Sequence, residues 1–138
     1  MSLAQMERFR FVPLAIRPEK GDVVYAGEAA KVARARALDE STKATARGDT
    51  SGADLWTRRA ASLSKVERVA PGAVGVRWRE SEQRIYFEVP NVGRVQSVMV
   101  EQFIMEFAPG SEDEQYAMMD RGVAAVFDLV ASWGWSAA

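Results

Sequence analysis

Alternating apolar and polar side chains predict several β-strands in this chain. Residues 8–12 alternate basic and apolar side chains, which is the two-residue period of a strand with one buried face. Residues 74–79 and 84–89 repeat the alternation on either side of a polar turn. These two segments predict a β-hairpin with one apolar and one polar face. A further short strand is predicted over residues 22–25.

A different period, close to 3.6 residues, predicts helices in the first half of the chain. The Ala-rich residues 28–38 carry a modest apolar stripe and form the first predicted helix. Residues 39–52 are polar and contain two glycines, so we expect a surface loop there. The second helix is predicted to begin at Ser51 and to end before Pro71. Its apolar stripe consists of Trp56, Ala60, Leu63 and Val66.

The last third of the chain contains one clear helix and one ambiguous segment. Ser111 and Glu114 have the spacing of a capping box, and an apolar stripe continues from there to Trp133. Gly122 lies inside this predicted helix, where it allows a close approach to a sheet. The segment Val95–Phe107 fits either a strand or a helical face, and we assign it to a strand that completes a meander.

These elements together predict an α+β fold. We expect a two-layer sandwich in which an antiparallel β-meander packs against two or three helices. The length of 138 residues is that of an ordinary domain, so residues 1–138 are predicted to form one compact domain.

The composition excludes several classes of catalytic site. The chain has no cysteine and no histidine. It therefore lacks a thiolate nucleophile, the usual general base near neutral pH, and the commonest ligands of transition metals. We expect no cofactor and no transition metal, and we favour a protein that is not an enzyme.

No apolar run approaches the ~20 residues that a membrane helix needs. Charged side chains at Glu7, Arg8 and Arg10 interrupt the place where a secretion signal would need an apolar stretch. We expect a cytoplasmic protein without a membrane partner. The large excess of arginine over lysine and the single asparagine are typical of a bacterial or phage coding bias.

Charge is divided unevenly along the chain although the net charge is only −1. Residues 31–70 carry nine basic and five acidic side chains, whereas residues 71–138 carry five basic and ten acidic ones. Such asymmetry can steer a partner or favour head-to-tail self-association, and it can also reflect two solvated helical layers.

The predicted strands place basic side chains on a single side of the sheet. If the strands are neighbours, this face would hold five guanidinium groups and one phenol, which could bind phosphates and stack a base. Cross-strand pairing with Glu80, Glu82 and Glu88 would instead make the face neutral. The candidate residues for a phosphate or nucleic-acid face are Arg8, Arg10, Arg77, Arg79, Arg84 and Tyr86.

Two indoles, Trp133 and Trp135, end the chain as candidates for an interaction site. Only one of them can lie on the apolar stripe of the last helix. The other is expected to tuck against the domain or to contact a partner, since tryptophan is enriched at interaction hot spots.

Three functions follow from these observations. The first is a non-enzymatic interaction or assembly protein that binds itself or a protein partner. The second is a nucleic-acid-binding module that uses the arginine-rich sheet face; the near-zero net charge makes it the weaker reading. The third is a small-ligand-binding protein or a carboxylate-based enzyme with a pocket in the concavity of the sheet.

Overall fold

The computed structural model describes residues 10–13, 16–90 and 94–138, in which six strands and five helices form an α+β fold. The strands are β1 (Arg10–Pro13), β2 (Val23–Ala26), β3 (Gly75–Arg79), β4 (Arg84–Glu88), β5 (Arg94–Val98) and β6 (Ser136–Ala137). The helices are α1 (Ala30–Ala46), α2 (Thr50–Val69), α3 (Val100–Phe107), α4 (Glu112–Arg121) and α5 (Val123–Ser132).

The six strands form one sheet in the order β1-β5-β4-β3-β2-β6, and every neighbouring pair is antiparallel. Strands β2 to β5 follow one another as a meander. A single turn of 3-10 helix, Glu80–Glu82, connects the predicted hairpin, in which Trp78 lies opposite Ile85. The predicted α+β fold with an antiparallel sheet is confirmed.

Aromatic side chains of α3 and α5 cover the apolar face of the sheet. The Phe87 ring of β4 lies 5.8 Å from the ring of Phe103 and 5.4 Å from that of Phe107. At the β2 side, Tyr25 stacks on Phe127 at 5.2 Å. Such ring pairs stabilise a core beyond the area that they bury. They also occupy the space over β4, on the side where a pocket in the sheet was predicted.

The predicted loop at residues 39–52 is wrong, because most of it is helical. Helix α1 continues to Ala46, where the buried small side chains of Ala37 and Ala44 let it pack closely against α2. Lys43 and Asp39 form an ion pair at 3.1 Å with the i, i+4 spacing that supports a helix. Helix α2 is capped by Asp49, which accepts a hydrogen bond from the Gly52 amide, and not by Ser51.

The assignment of Val95–Phe107 to one strand is also wrong, because the segment changes from strand to helix at Met99. Strand β5 ends at Val98. In α3, Phe103, Ile104 and Phe107 fall on one helical face and are buried, so their burial against the sheet outweighs their preference for strands.

The helix predicted from Ser111 to Trp133 begins as expected and then breaks. The Ser111 hydroxyl accepts a hydrogen bond from the Glu114 amide at the start of α4. Gly122, with φ of 64° and ψ of −136°, separates α4 from α5. Glycine adopts this backbone conformation at little cost. A Cβ atom there would meet nothing within 4 Å, so a close approach to the sheet is not its role.

Candidate functional site

Four of the predicted phosphate-binding residues lie together on the polar face of the sheet. Arg77 of β3 is paired with Tyr86 of β4, and Arg79 is paired with Arg84. We call these four residues the arginine face. Arg8 lies outside the described residues. Arg10 pairs with Ser97 in the ladder between β1 and β5, and its side chain is outside the described part.

The two arginines of β3 already form hydrogen bonds and ion pairs with carboxylates of the same chain. Arg79 donates to both carboxylate oxygens of Asp22, at 3.2 and 3.0 Å, and to Glu82 at 3.2 Å. A fourth hydrogen bond joins its Nη2 to the Arg17 carbonyl at 2.6 Å. Arg77 donates to Asp22 at 3.0 Å and to Glu88 at 2.8 Å. The side chains of Arg79 and Asp22 are only 6% and 5% exposed, so the centre of this network is buried.

On the β4 side of the arginine face, Arg84 and Tyr86 also have hydrogen-bond acceptors within the chain. Arg84 donates from Nε to the Ser97 hydroxyl and from Nη2 to the Ser97 carbonyl, both at 3.0 Å. The Tyr86 hydroxyl donates to Glu82 in a short hydrogen bond. These contacts tie β3, β4 and β5 to the segment around Asp22.

The titration of this network follows from its contacts. The hydrogen bond from Arg79 is the main cause that lowers the pKa of Asp22 to about 2. Burial, followed by the hydrogen bond to the Glu82 carboxylate, raises the pKa of Tyr86 to about 12. At neutral pH, Asp22 is therefore charged and Tyr86 is protonated. Neither Asp22 nor Tyr86 is thus poised to exchange a proton near neutral pH.

Both C-terminal indoles belong to the core. Trp133 lies 6.0 Å from the ring of Phe103 and 5.4 Å from that of Trp135, and both tryptophans are buried. The Trp135 Nε1 donates to the Glu28 carbonyl at 2.9 Å. A Cβ at Gly27 would lie 2.0 Å from the Trp135 ring, so only a glycine lets that indole seat there. Neither indole presents a surface to a partner.

Two clefts flank Trp133. One of about 200 Å³ lies between α2 and α5; its apolar wall includes Leu55, Met118 and Leu129, and charged side chains also line it. The other, of about 450 Å³, lies between the α1–α2 pair and the C-terminal residues and is lined in part by Arg36. Arg59, Ser132 and Trp133 line both clefts and form the wall between them.

Two donors in this wall lack acceptors among the residues that the structure describes. They are the Nε atom of Arg59 and the Nε1 atom of Trp133, both buried. The Arg59 guanidinium lies over the Trp56 ring, 4.6 Å from its centroid, and forms no ion pair within the described ranges. Sequence reasoning missed Arg59, although the i, i+3 spacing of Trp56 and Arg59 was a signal for it.

Exposed apolar side chains divide between a basic and an acidic region. Of the seven large ones in the described residues, three lie on α1 and α2 and three lie in residues 99–120. The segment 99–120 contains six carboxylates and no basic side chain. The three of α1 and α2 are Val32, Leu38 and Leu55, and the three of residues 99–120 are Met99, Met105 and Tyr116.

On α1, Leu38 follows Lys31 and Arg34 at the spacing that places all three on one helix face. Neither base has an ion-pair partner in the described part of the chain. We call these three residues the basic face. Lys31 and Leu38 are exposed, and Arg34 is half-buried.

On α4, Tyr116 is surrounded by carboxylates at helical spacing. A groove of about 250 Å³ separates it from Met105 of α3, and the Gln115 side chain holds the two helices together through the Ala108 carbonyl at 3.1 Å. We call the following residues the acidic face: Met105, Glu112, Asp113, Tyr116 and Asp120.

No helix in the described ranges has both the length and the hydropathy of a membrane span. Those ranges also contain no group of three acidic side chains arranged to hold a metal ion.

Comparison with models of protein families, with curated proteins and with solved structures found no match for this chain.

Proposed function

We propose that this chain is a non-enzymatic assembly protein, cytoplasmic and of bacterial or phage origin, that associates head to tail with further copies of itself. In this proposal, the acidic face of one copy docks on the basic face of the next. The observation that carries it is the placement of exposed apolar side chains in two regions of opposite charge.

The charges of the two faces complement each other. Lys31 and Arg34 on the basic face have no acidic partner in the described residues, so their charge is available to another molecule. The acidic face has three carboxylates and no basic side chain. Opposite potentials steer two molecules together and set their relative orientation, whereas two acidic faces repel each other.

Exposed apolar groups at the centre of each face supply the contact itself. Tyr116 is 56% exposed and Leu38 is 51% exposed, and each stands among charged neighbours. An aromatic anchor with a charged rim is the usual anatomy of a protein interface. Because the two faces are different surfaces, the contact is heterologous and produces rings or open chains rather than a two-fold dimer.

The test is the mass of the particle as a function of concentration and salt. We expect sedimentation equilibrium to show masses that rise with protein concentration in about 10 mM salt and fall towards the monomer in about 1 M salt, because the Debye length shortens from about 30 Å to about 3 Å. A monomer at every concentration in low salt would contradict the proposal.

Reversing the charges of the basic face or of the acidic face tests whether these two surfaces form the contact. The double variant Lys31→Glu with Arg34→Glu should remain monomeric, and so should Asp113→Lys with Asp120→Lys. A mixture of the two variants should associate again, because the unaltered acidic face of the first variant meets the unaltered basic face of the second, and the two reversed faces also have opposite charges. If the variants were monomeric only because they had unfolded, mixing them would not restore association.

A matched control changes the same charge elsewhere. Lys20 and Arg47 are exposed and lie outside both faces. Lys20→Glu with Arg47→Glu alters the net charge as much as the basic-face variant does, and it should associate like the unaltered protein. Loss of association in this control would show that net charge, and not the basic face, drives assembly.

A further inference from the structure

We propose that the cleft between α2 and α5 binds a small carboxylate that carries an apolar chain or ring. The carboxylate would lie against Arg59 and the Nε1 of Trp133, and the apolar part would fill the cleft. This site is separate from the two faces of the proposed assembly.

Among the three arginines that line the cleft, Arg59 is the one available to pair with a ligand's carboxylate. Two other arginines line the same cleft, but Arg58 pairs with Asp54 at 3.3 Å and Arg121 pairs with Asp128. Arg59 has no carboxylate among the described residues and is held in place by the Trp56 ring. A guanidinium fixed by stacking presents its donors in a plane that matches a carboxylate.

Trp133 supplies a second donor without an acceptor. Its side chain is 5% exposed, and its Nε1 finds no acceptor in the described ranges, whereas the Nε1 atoms of Trp78 and Trp135 donate to Glu80 and to the Glu28 carbonyl. A buried donor without a partner is costly, so an acceptor that reaches it is favoured. Because Trp133 lines both clefts and its Nε1 is buried, a carboxylate in the cleft reaches this donor after a small movement of the ring.

The size and lining of the cleft define the rest of the ligand. A cleft of about 200 Å³ is smaller than the sites of drug-sized ligands and close to the ~150 Å³ cavities that take up benzene. Leu55, Met118 and Leu129 offer no polar group to a ligand. An aromatic ring or a chain of about six carbons fits this space. With a single available cation, the site suits one negative charge better than the two of a phosphate monoester.

The experiment uses benzoate and hexanoate as probes and follows the four indole N–H signals in a ¹H–¹⁵N spectrum. We expect the Trp133 signal to move downfield as its N–H gains an acceptor and the Trp56 signal to move slightly. The signals of Trp78 and Trp135 should stay, because those donors are already engaged. Hexanol, which has the same chain without the charge, should bind at least tenfold more weakly than hexanoate.

Variants test the role of the cation. Arg59→Met removes the guanidinium but keeps an unbranched side chain over Trp56, and it should weaken benzoate binding by tenfold or more. Arg68→Met is the matched control, since Arg68 is an exposed arginine of α2 that does not line the cleft. It should leave binding unchanged.

Each other outcome overturns the proposal. Equal binding of hexanol and hexanoate would show an apolar cavity that does not select a carboxylate. Carboxylate binding that survives Arg59→Met, or that moves the Trp78 signal instead of the Trp133 signal, would place the anion elsewhere. No shift of any indole signal up to saturating probe would show that the cleft does not bind this class of ligand.

Discussion

Arg79 and Arg59 are both arginines beside an aromatic ring, yet their surroundings are opposite. Arg79 lies 5.4 Å from the Tyr86 ring and makes hydrogen bonds to two carboxylates and a carbonyl. Arg59 lies 4.6 Å from the Trp56 ring and has a buried Nε without an acceptor in the described residues. The first guanidinium is committed to the fold, and the second is available to a ligand.

The surroundings of an arginine, and not its presence on a patterned face, therefore decide whether it can bind a ligand. The alternation in β3 made Arg77 and Arg79 candidates for phosphate binding. In the structure, Asp22, Glu82 and Glu88 neutralise their charges. A phosphate would have to displace carboxylates that are already well placed, of which Asp22 is also desolvated. The phosphate-binding function of the arginine face stays a prediction that its contacts do not favour.

Among these residues, Arg79 is expected to contribute most to the stability of the fold. Arg79→Met should lower the free energy of unfolding by about 3 kcal/mol, because it leaves the buried Asp22 carboxylate with Arg77 as its one cationic partner in the described residues, beside the Glu19 amide. Urea denaturation measures this change. Arg58→Met breaks an exposed ion pair with Asp54 and should cost less than about 1 kcal/mol. Equal losses in the two variants would contradict the central role of the buried network.

Acid should weaken the same network. The pKa of Asp22 is lowered to about 2 in the folded chain, against about 3.9 in an unfolded one. The stabilisation is therefore complete above about pH 4 and is lost as the pH falls through about 2, which amounts to about 2 kcal/mol. Urea denaturation between those pH values measures it. Asp22→Asn should flatten this part of the profile, and an unchanged profile in that variant would refute the assignment to Asp22.

A smaller change in the free energy of unfolding is expected at Tyr86, the phenol of the arginine face. Tyr86→Phe removes the hydrogen bond to Glu82 and keeps the ring, so it should lower the free energy of unfolding by about 1 kcal/mol. Tyr116→Phe removes a hydrogen bond at the surface, to Glu112, and should change stability by only a few tenths of a kcal/mol. Thermal unfolding of both variants compares the two hydroxyls, and a larger loss at Tyr116 would reverse the comparison.

The smallest change in the free energy of unfolding is expected at Arg59, in contrast to Arg79. Arg59→Met should change the free energy of unfolding by no more than about 0.5 kcal/mol, because no described carboxylate depends on Arg59 and an unpartnered N–H is removed. Measured beside Arg79→Met under the same conditions, it separates a structural arginine from an available one. A loss as large as that of Arg79→Met would show that Arg59 also holds the fold together.

Local patterns were sufficient for some parts of the fold. The hairpin of β3 and β4 and the capping box at Ser111 could be predicted because alternation and capping depend on neighbouring residues. Patterns failed where tertiary burial decides. Phe103 and Phe107 favour a strand in isolation but form a helix against the sheet, and the polar residues 39–46 are helical because Ala37 and Ala44 let α1 pack on α2.

The order of residues alone was enough to predict the α+β class, the polar and apolar faces of the hairpin, the absence of thiol and imidazole groups, and the separation of basic from acidic regions. These properties depend on composition and on short-range periodicity. The packing of distant segments was needed to show that Asp22 neutralises two arginines more than fifty residues away in the chain. It was also needed to show that Trp133 and Trp135 are buried, and that Arg59 and Trp133 line the same clefts with donors that lack acceptors in the described residues. Such contacts depend on which distant segments pack together.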